Sequence, residues 1–81
     1  MLKRRRKMRL SEVTEGSKVK VNAILGKRHL LSRLIGVGLA EGALLQVVQN
    51  EKGQPVLFYC RDSVIVLSEK DCKKIEVEVR Q

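Results

Sequence analysis

The stretch that decides the fold is RLIGVGLAEGALLQVVQ, residues 33–49. Its apolar residues begin at helical spacing, three glycines follow within seven residues, and the pattern then alternates like a strand. Glycine inside either element costs about 0.5–1 kcal/mol relative to alanine, so this cluster indicates a sharp turn or a close approach by another group. Because the spacing matches neither common phosphate-binding glycine motif, we predict a structural corner: Gly36 and Gly38 end a helix and Gly42 leads into a strand.

On the N-terminal side of this corner the sequence predicts one strand and one helix. KVKVNAIL (18–25) alternates polar and apolar residues, which is typical of a half-buried strand. KRHLLSRLIGVGL (27–39) places Leu30, Leu31, Leu34 and Ile35 at helical spacing, which predicts a helix that starts after Gly26 and ends near Gly36 to Gly38.

On the C-terminal side the period changes to two, and short strands follow one another across tight turns. Ser68 is a natural N-cap, so the segment after it predicts one or two helical turns. Five strands with one short helix between the first two, and a helical turn before the last, predict a mainly β protein folded as a small barrel. The predicted later elements are strands ALLQVVQN (43–50), PVLFYC (55–60), VIVL (64–67) and IEVEVR (75–80), with helical turns at SEKDCKK (68–74).

The positive charge is concentrated at the N-terminus. The net charge is +8, but residues 1–7 hold five basic residues and no acid, so the rest of the chain carries only +3. We predict a basic, disordered tail over residues 1–7 and a single domain over residues 8–81. No apolar run approaches the roughly 20 residues that span a bilayer, so we expect a cytoplasmic protein without membrane insertion.

Three side chains are the candidate metal ligands: His29, Cys60 and Cys72. They are weak candidates, because a structural zinc site needs four ligands and neither cysteine belongs to a C-x-x-C motif. Cys60 is in phase with the apolar residues of its strand. Both thiols are expected to be buried and inert. His29 is expected to be solvated. Metal shared between two subunits stays open as an alternative. We therefore predict no resident cofactor; Fe(II) or another divalent metal is not supported by the ligand spacing.

Catalysis and nucleic-acid binding are both poorly supported. Serine or cysteine catalysis would need the lone His29, which has no acidic residue near it in sequence to orient it, so we predict no enzyme. Small barrels that bind single strands use several stacking aromatics in a basic groove. Here Phe58 and Tyr59 are adjacent on one strand and point to opposite faces, so one is expected in the core.

The ordered segments MRLSEVTEGSKVKV (8–21), LLSRLIGVGLAEGALLQVV (30–48) and PVLFYCRDSVIVLSEKDCKKIEVE (55–78) together resemble the FeoA family, the ferrous iron transport protein A domain. The resemblance implies an SH3-like barrel related to the C-terminal domain of DtxR-type repressors. It also implies a cytoplasmic accessory role in which the protein docks on the FeoB ferrous iron transporter. Peripheral association with the inner face of the membrane and formation of a homodimer both stay open.

Several residues depart from the family pattern. Val37 replaces a leucine, Glu41 replaces the proline before Gly42, and Cys72 replaces a small residue that is usually alanine. Asp62 stands where glycine is common, and we expect it to adopt the left-handed backbone conformation that aspartate tolerates.

The leading functional hypothesis is a non-enzymatic module that binds and modulates a FeoB-type transporter. The alternatives are a nucleic-acid-binding barrel that uses the basic tail and a metal-sensing module; the low aromatic content argues against the first of these. For the leucines of the partner surface, core packing is the competing interpretation. The predicted partner surface consists of Arg28, Arg33, Leu34, Val37, Leu39 and Glu41.

Overall fold

The computed structural model describes residues 7–80. Six strands and two helices follow one another, with a single turn of 3-10 helix after the first strand. Within these residues, neither helix is long and apolar enough to cross a membrane. The elements are β1 (Lys7–Arg9), a 3-10 turn (Leu10–Glu12), β2 (Lys18–Ile24), α1 (Arg28–Gly36), β3 (Leu44–Gln49), β4 (Val56–Cys60), β5 (Ser63–Leu67), α2 (Glu69–Cys72) and β6 (Ile75–Arg80).

All six strands form one antiparallel sheet in the order β1-β6-β2-β3-β4-β5. The mainly β prediction is confirmed, as are the positions of both helices; Ser68 caps α2 by accepting a hydrogen bond from the Asp71 backbone N–H at 3.2 Å. The strand count is six rather than five, because β1 adds to the edge of β6. In that ladder Lys7 lies opposite Glu78 and Arg9 opposite Glu76, so each cross-strand pair joins opposite charges.

The extra strand includes one residue of the predicted tail. Lys7, which was predicted to belong to the basic tail, is the first residue of β1. Residues 1–6 of the predicted tail, and Gln81, lie outside the described residues.

The sheet bends around a single core. No ladder joins β1 to β5 within residues 7–80, so these two remain edge strands instead of closing a continuous barrel by hydrogen bonds. Bulges in β2, between Val21 and Ala23, and in β3, between Val47 and Gln49, help the sheet to bend. Phe58 is the largest of the fully buried side chains. The core consists of Leu10, Val13, Val19, Val21, Leu30, Leu34, Leu39, Leu45, Val47, Val56, Phe58, Cys60, Ile65, Leu67, Cys72, Ile75 and Val77.

The end of α1 is a Schellman motif. The Leu39 N–H donates to the Leu34 carbonyl at 2.8 Å and the Gly38 N–H donates to the Ile35 carbonyl at 3.0 Å. Gly38 has φ +91°, the left-handed conformation that this motif requires of its glycine. Apolar side chains at the positions of Leu34 and Leu39 frequently meet in this motif, and both are buried here. The predicted helix end is therefore confirmed.

A second turn launches β3 and is bonded to β2. The Ala43 N–H donates to the Ala40 carbonyl at 3.0 Å, and Gly42 has φ +88°, which together define a type II turn with Glu41 at its second position. The Gly42 N–H donates to the Val21 carbonyl at 2.8 Å, and the Val21 N–H donates to the Ala43 carbonyl at 2.9 Å. A Cβ added to Gly38 or Gly42 would meet no atom within 4 Å, so the glycines serve backbone conformation and not close approach.

The turn between β4 and β5 differs from expectation. Cys60 pairs with Ser63, which leaves a two-residue loop of Arg61 and Asp62. Arg61 has φ 59°, and among residues 7–80 it is the only residue other than glycine with a positive φ. The prediction that Asp62 takes the left-handed conformation is therefore wrong. Positive φ at the first loop position alone is the II′ hairpin pattern, which favours glycine there, so Arg61 is held in a strained conformation.

Candidate functional site

Helix α1 has two apolar stripes, and only one of them faces the core. Leu30 and Leu34 are 5% and 1% exposed, whereas Leu31 and Ile35 are 38% and 54% exposed. At about 100° per residue, the two stripes lie next to each other around the helix axis. The helix therefore contributes one stripe to the fold and presents the other to solvent.

A further exposed apolar residue stands at the end of the helix, but it lies about 140° around the helix axis from the midpoint of Leu31 and Ile35. Val37, the residue between the last helical position and Gly38, is 53% exposed. Leu31 and Ile35 stand one helical turn apart, so their side chains are neighbours. We call Leu31 and Ile35 the α1 face. Exposed apolar side chains that cluster in this way are typical of interaction sites, whereas scattered ones are ordinary.

The structure divides the predicted partner surface. Leu34 and Leu39 are 1% and 0% exposed, so their assignment to that surface is wrong. The physical reason is that both residues belong to the hydrophobic core, at the two positions whose side chains frequently meet in a Schellman motif. For the leucines the competing interpretation, core packing, is the correct one.

The polar members of the predicted surface are exposed, but they do not share one face. Arg28 lies about 40° around the helix axis from the midpoint of Leu31 and Ile35, whereas Arg33 lies about 180° from it. Glu41 is exposed in the turn before β3. Arg28 can therefore flank a partner on the α1 face, whereas Arg33 cannot.

Leu31 and Ile35 are the candidate site residues that the sequence analysis did not name as part of the partner surface. Four apolar positions at helical spacing predict one wide core-facing stripe, and the sequence holds no marker that separates the two halves. The available signal was width: Leu30, Leu31, Leu34 and Ile35 span an arc of about 140°, wider than the roughly 100° stripe that a short surface helix needs.

The candidate metal ligands are not brought together. His29 is exposed on α1, whereas Cys60 and Cys72 are free thiols buried in the core. The Cys60 thiol donates to the Gly38 carbonyl at 3.8 Å and so connects β4 to the corner. Within residues 7–80, no group of three or more His, Cys, Asp or Glu side chains is placed to hold a metal ion. The prediction that both cysteines are buried is confirmed.

The Cys72 thiol is held in its protonated form. Burial first, then the negative charges of Asp71 and Glu69, raises its pKa from 9.0 to about 12. A thiol that stays protonated at neutral pH is a poor nucleophile and a poor metal ligand. Cys72 therefore functions as a small apolar core residue.

The raised pKa of Cys72 predicts a pH dependence of stability. In the unfolded chain the thiol ionises near its ordinary pKa of 9.0, whereas in the folded chain it resists ionisation until about pH 12. The contribution is constant below pH 9, and above it stability falls by about 1.4 kcal/mol per pH unit. We expect the difference in unfolding free energy between the parent and Cys72→Ala, measured by urea denaturation at pH 7, 9 and 10, to shrink above pH 9. A difference that stays constant across these pH values would contradict the prediction.

The adjacent aromatics point to opposite faces, as predicted. Phe58 is fully buried and Tyr59 is 48% exposed. Tyr59 lies on the outer face of the sheet, away from the core that contains Phe58.

Comparisons with known proteins identify the family. The FeoA domain model matches residues 8–79. A search of curated proteins found no sequence match. The crystal structure of an iron uptake regulatory protein (FeoA) superposes with a TM-score of 0.88 at 24% identity, over 93% of this chain and all of the other. The FeoA protein from Chlorobium tepidum gives a TM-score of 0.84 at 25% identity, over 91% of this chain and 71% of the other.

The fold extends beyond FeoA proteins. A manganese-dependent transcriptional repressor gives a TM-score of 0.85 over 98% of this chain and 45% of its own, at 14% identity, which is a likeness of fold. The compact, mainly β architecture matches the predicted SH3-like class. With the model match across 8–79, these findings place the chain in the FeoA domain family.

Proposed function

We propose that this protein is a non-enzymatic accessory protein of ferrous iron transport that binds a FeoB-type transporter and modulates it from the cytoplasmic side. Membership of the FeoA domain family supports the iron transport role. The observation that carries the docking mechanism is the exposure of Leu31 and Ile35 as neighbouring side chains on one side of α1. The proposed contact is the α1 face, and the proposed partner is the cytoplasmic part of the transporter.

The energetic basis of docking is burial of the α1 face. Burying a fully exposed aliphatic side chain completely stabilises a complex by about 1.5–3 kcal/mol. The side chains of the α1 face are roughly half exposed in the free protein, so about half of that free energy is available on binding. Each can therefore contribute about 1 kcal/mol, the size typical of an important interface residue. The α1 face is also well fixed, because Leu30 and Leu34 on the neighbouring stripe anchor the helix in the core.

A charge beside the face can orient the partner. Arg28 lies on the same side of α1 and is exposed. Charged groups at the rim of an interface affect association rate and orientation more than affinity. We propose that this side chain sets the direction in which the transporter segment lies across α1.

Charge introduced into the α1 face tests the proposal. We expect the double variant Leu31→Glu/Ile35→Glu to weaken binding to the cytoplasmic domain of a FeoB-type transporter at least about tenfold, because it places carboxylates where apolar contacts form. The matched control is Val48→Glu/Val66→Glu, which adds the same charge at two valines that are 46% and 56% exposed elsewhere on the protein. Calorimetric titration measures both, after circular dichroism has verified that each variant is folded.

Two outcomes would contradict the proposal. One is unchanged binding of Leu31→Glu/Ile35→Glu, and the other is an equal loss in the control. Arg33→Glu provides a further check, because Arg33 lies on the opposite side of α1 and its substitution should change affinity less than about threefold. Sedimentation of the free protein distinguishes transporter docking from a homodimer formed through the same face.

A further inference from the structure

A row of polar and aromatic side chains crosses the outer face of the sheet. In the ladders Lys18 lies opposite both Arg80 and Gln46, Gln46 lies opposite Tyr59, and Tyr59 lies opposite Val64. Directly opposed residues in a sheet point to the same face. The row therefore runs from β6 through β2, β3 and β4 to β5, and it shares no residue with the α1 face.

All members of the row except Val64 line a surface groove of about 470 Å³. Lys18, Arg61 and Arg80 supply three positive charges, and Leu44 and Tyr59 supply exposed apolar surface; they are 61% and 48% exposed. Among the described residues that line the groove, none carries a carboxylate. Glu78 lies opposite Lys20 in the neighbouring row and is not part of the lining.

Arg61 holds its place in the groove at an energetic cost. Its φ of 59° costs about 1–2 kcal/mol in a residue with a side chain, and glycine would relieve it. Strained backbone of this kind tends to occur at functional sites. The strained residue here is a cation that lines the groove.

We propose that the groove binds an acidic segment of another protein, with an apolar side chain packed against Leu44 and Tyr59 and carboxylates paired with Lys18, Arg61 and Arg80. Charge complementarity selects the acidic partner. The apolar surface selects a polypeptide over a nucleic acid, because single strands are held by several successive stacking aromatics and this groove has one. The inference is independent of the proposed function, since it concerns a separate surface.

A defined probe tests the groove. The probe is a short fluorescein-labelled peptide of alternating glutamate and leucine, and its comparisons are the glutamine-leucine peptide and labelled oligothymidylate. Fluorescence anisotropy should show binding of the glutamate peptide that weakens with salt, because exposed ion pairs are screened. We expect Lys18→Gln/Arg61→Gly/Arg80→Gln to weaken binding about tenfold, as three exposed ion pairs together would. Arg61→Gly keeps the turn, since glycine suits the positive φ.

The control variant removes the same number of positive charges at positions away from the groove. Lys52→Gln/Lys70→Gln/Lys73→Gln removes three exposed lysines that do not line the groove, and it should leave the affinity within about twofold of the parent. Failure of the glutamate peptide to bind the parent would overturn the inference. So would an equal loss in the control, or tighter binding of oligothymidylate that the groove substitutions remove.

Discussion

Leu34→Ala is expected to lower the free energy of unfolding by about 2–5 kcal/mol, whereas Ile35→Ala should change it by less than about 0.5 kcal/mol. The two residues are adjacent on α1 and similar in size, but Leu34 is 1% exposed and Ile35 is 54% exposed. Truncation of Leu34 leaves a cavity in the core. Truncation of Ile35 removes a side chain that faces solvent.

Urea denaturation followed by circular dichroism measures this difference. A second matched pair, Leu30→Ala and Leu31→Ala, should show the same contrast, because Leu30 is buried and Leu31 lies on the α1 face. Losses of similar size for Leu34→Ala and Ile35→Ala would mean that α1 packs through both stripes, and the α1 face would then not be available to a partner.

Phe58→Ala is expected to lower the free energy of unfolding by about 3–5 kcal/mol, and Tyr59→Ala to lower it by about 1 kcal/mol or less. Phe58 is the largest fully buried side chain, at the centre of the β4 strand between Val56 and Cys60 on the inner face. Tyr59 points outward and is 48% exposed. For a chain of 81 residues, whose whole stability is about 4–12 kcal/mol, the loss at Phe58 is a large fraction of the total.

Because Phe58→Ala is expected to approach complete unfolding, Phe58→Leu provides a variant that stays folded with a smaller loss. Thermal and urea denaturation of the three variants measure the loss in free energy of unfolding. We expect the loss to decrease in the order Phe58→Ala, Phe58→Leu, Tyr59→Ala. A larger loss for Tyr59→Ala than for Phe58→Leu would place Tyr59 in the core and would also remove it from the outer groove.

The contrast between these two adjacent pairs explains how much the sequence could predict. In a strand, neighbours point to opposite faces, so the alternation of Val56, Phe58 and Cys60 correctly predicted one buried aromatic and one exposed aromatic. In α1, four apolar residues lie within about 140° of arc, and local pattern could not decide which half faces the core. That choice depends on where the sheet lies relative to the helix.

The glycine corner was predictable for a different reason. Positive φ at Gly38 and Gly42 is a local requirement of a Schellman motif and a type II turn, and glycine is the residue that meets it at least cost. Arg61 shows the limit of the same reasoning, because the strained position falls on an arginine and the sequence pointed to Asp62. The three-residue β1 was missed because a strand that short gives no periodic signal.

The groove could not be predicted from the sequence at all. Its cations Lys18, Arg61 and Arg80 are far apart along the chain and are brought together by β2, the β4–β5 turn and β6. Their proximity follows from strand order and register, which one sequence does not define. The predicted leucines of the partner surface failed for a related reason, since burial of Leu34 and Leu39 comes from tertiary packing.

Backbone amide chemical shifts test the central claim most directly. The protein is labelled with 15N and titrated with the cytoplasmic domain of a FeoB-type transporter, and the same titration is repeated with Leu31→Glu/Ile35→Glu. The account predicts that the largest shift changes lie within residues 28–38 and that they disappear in the variant. No shift changes on titration, or largest changes that lie outside α1 and persist in the variant, would contradict it.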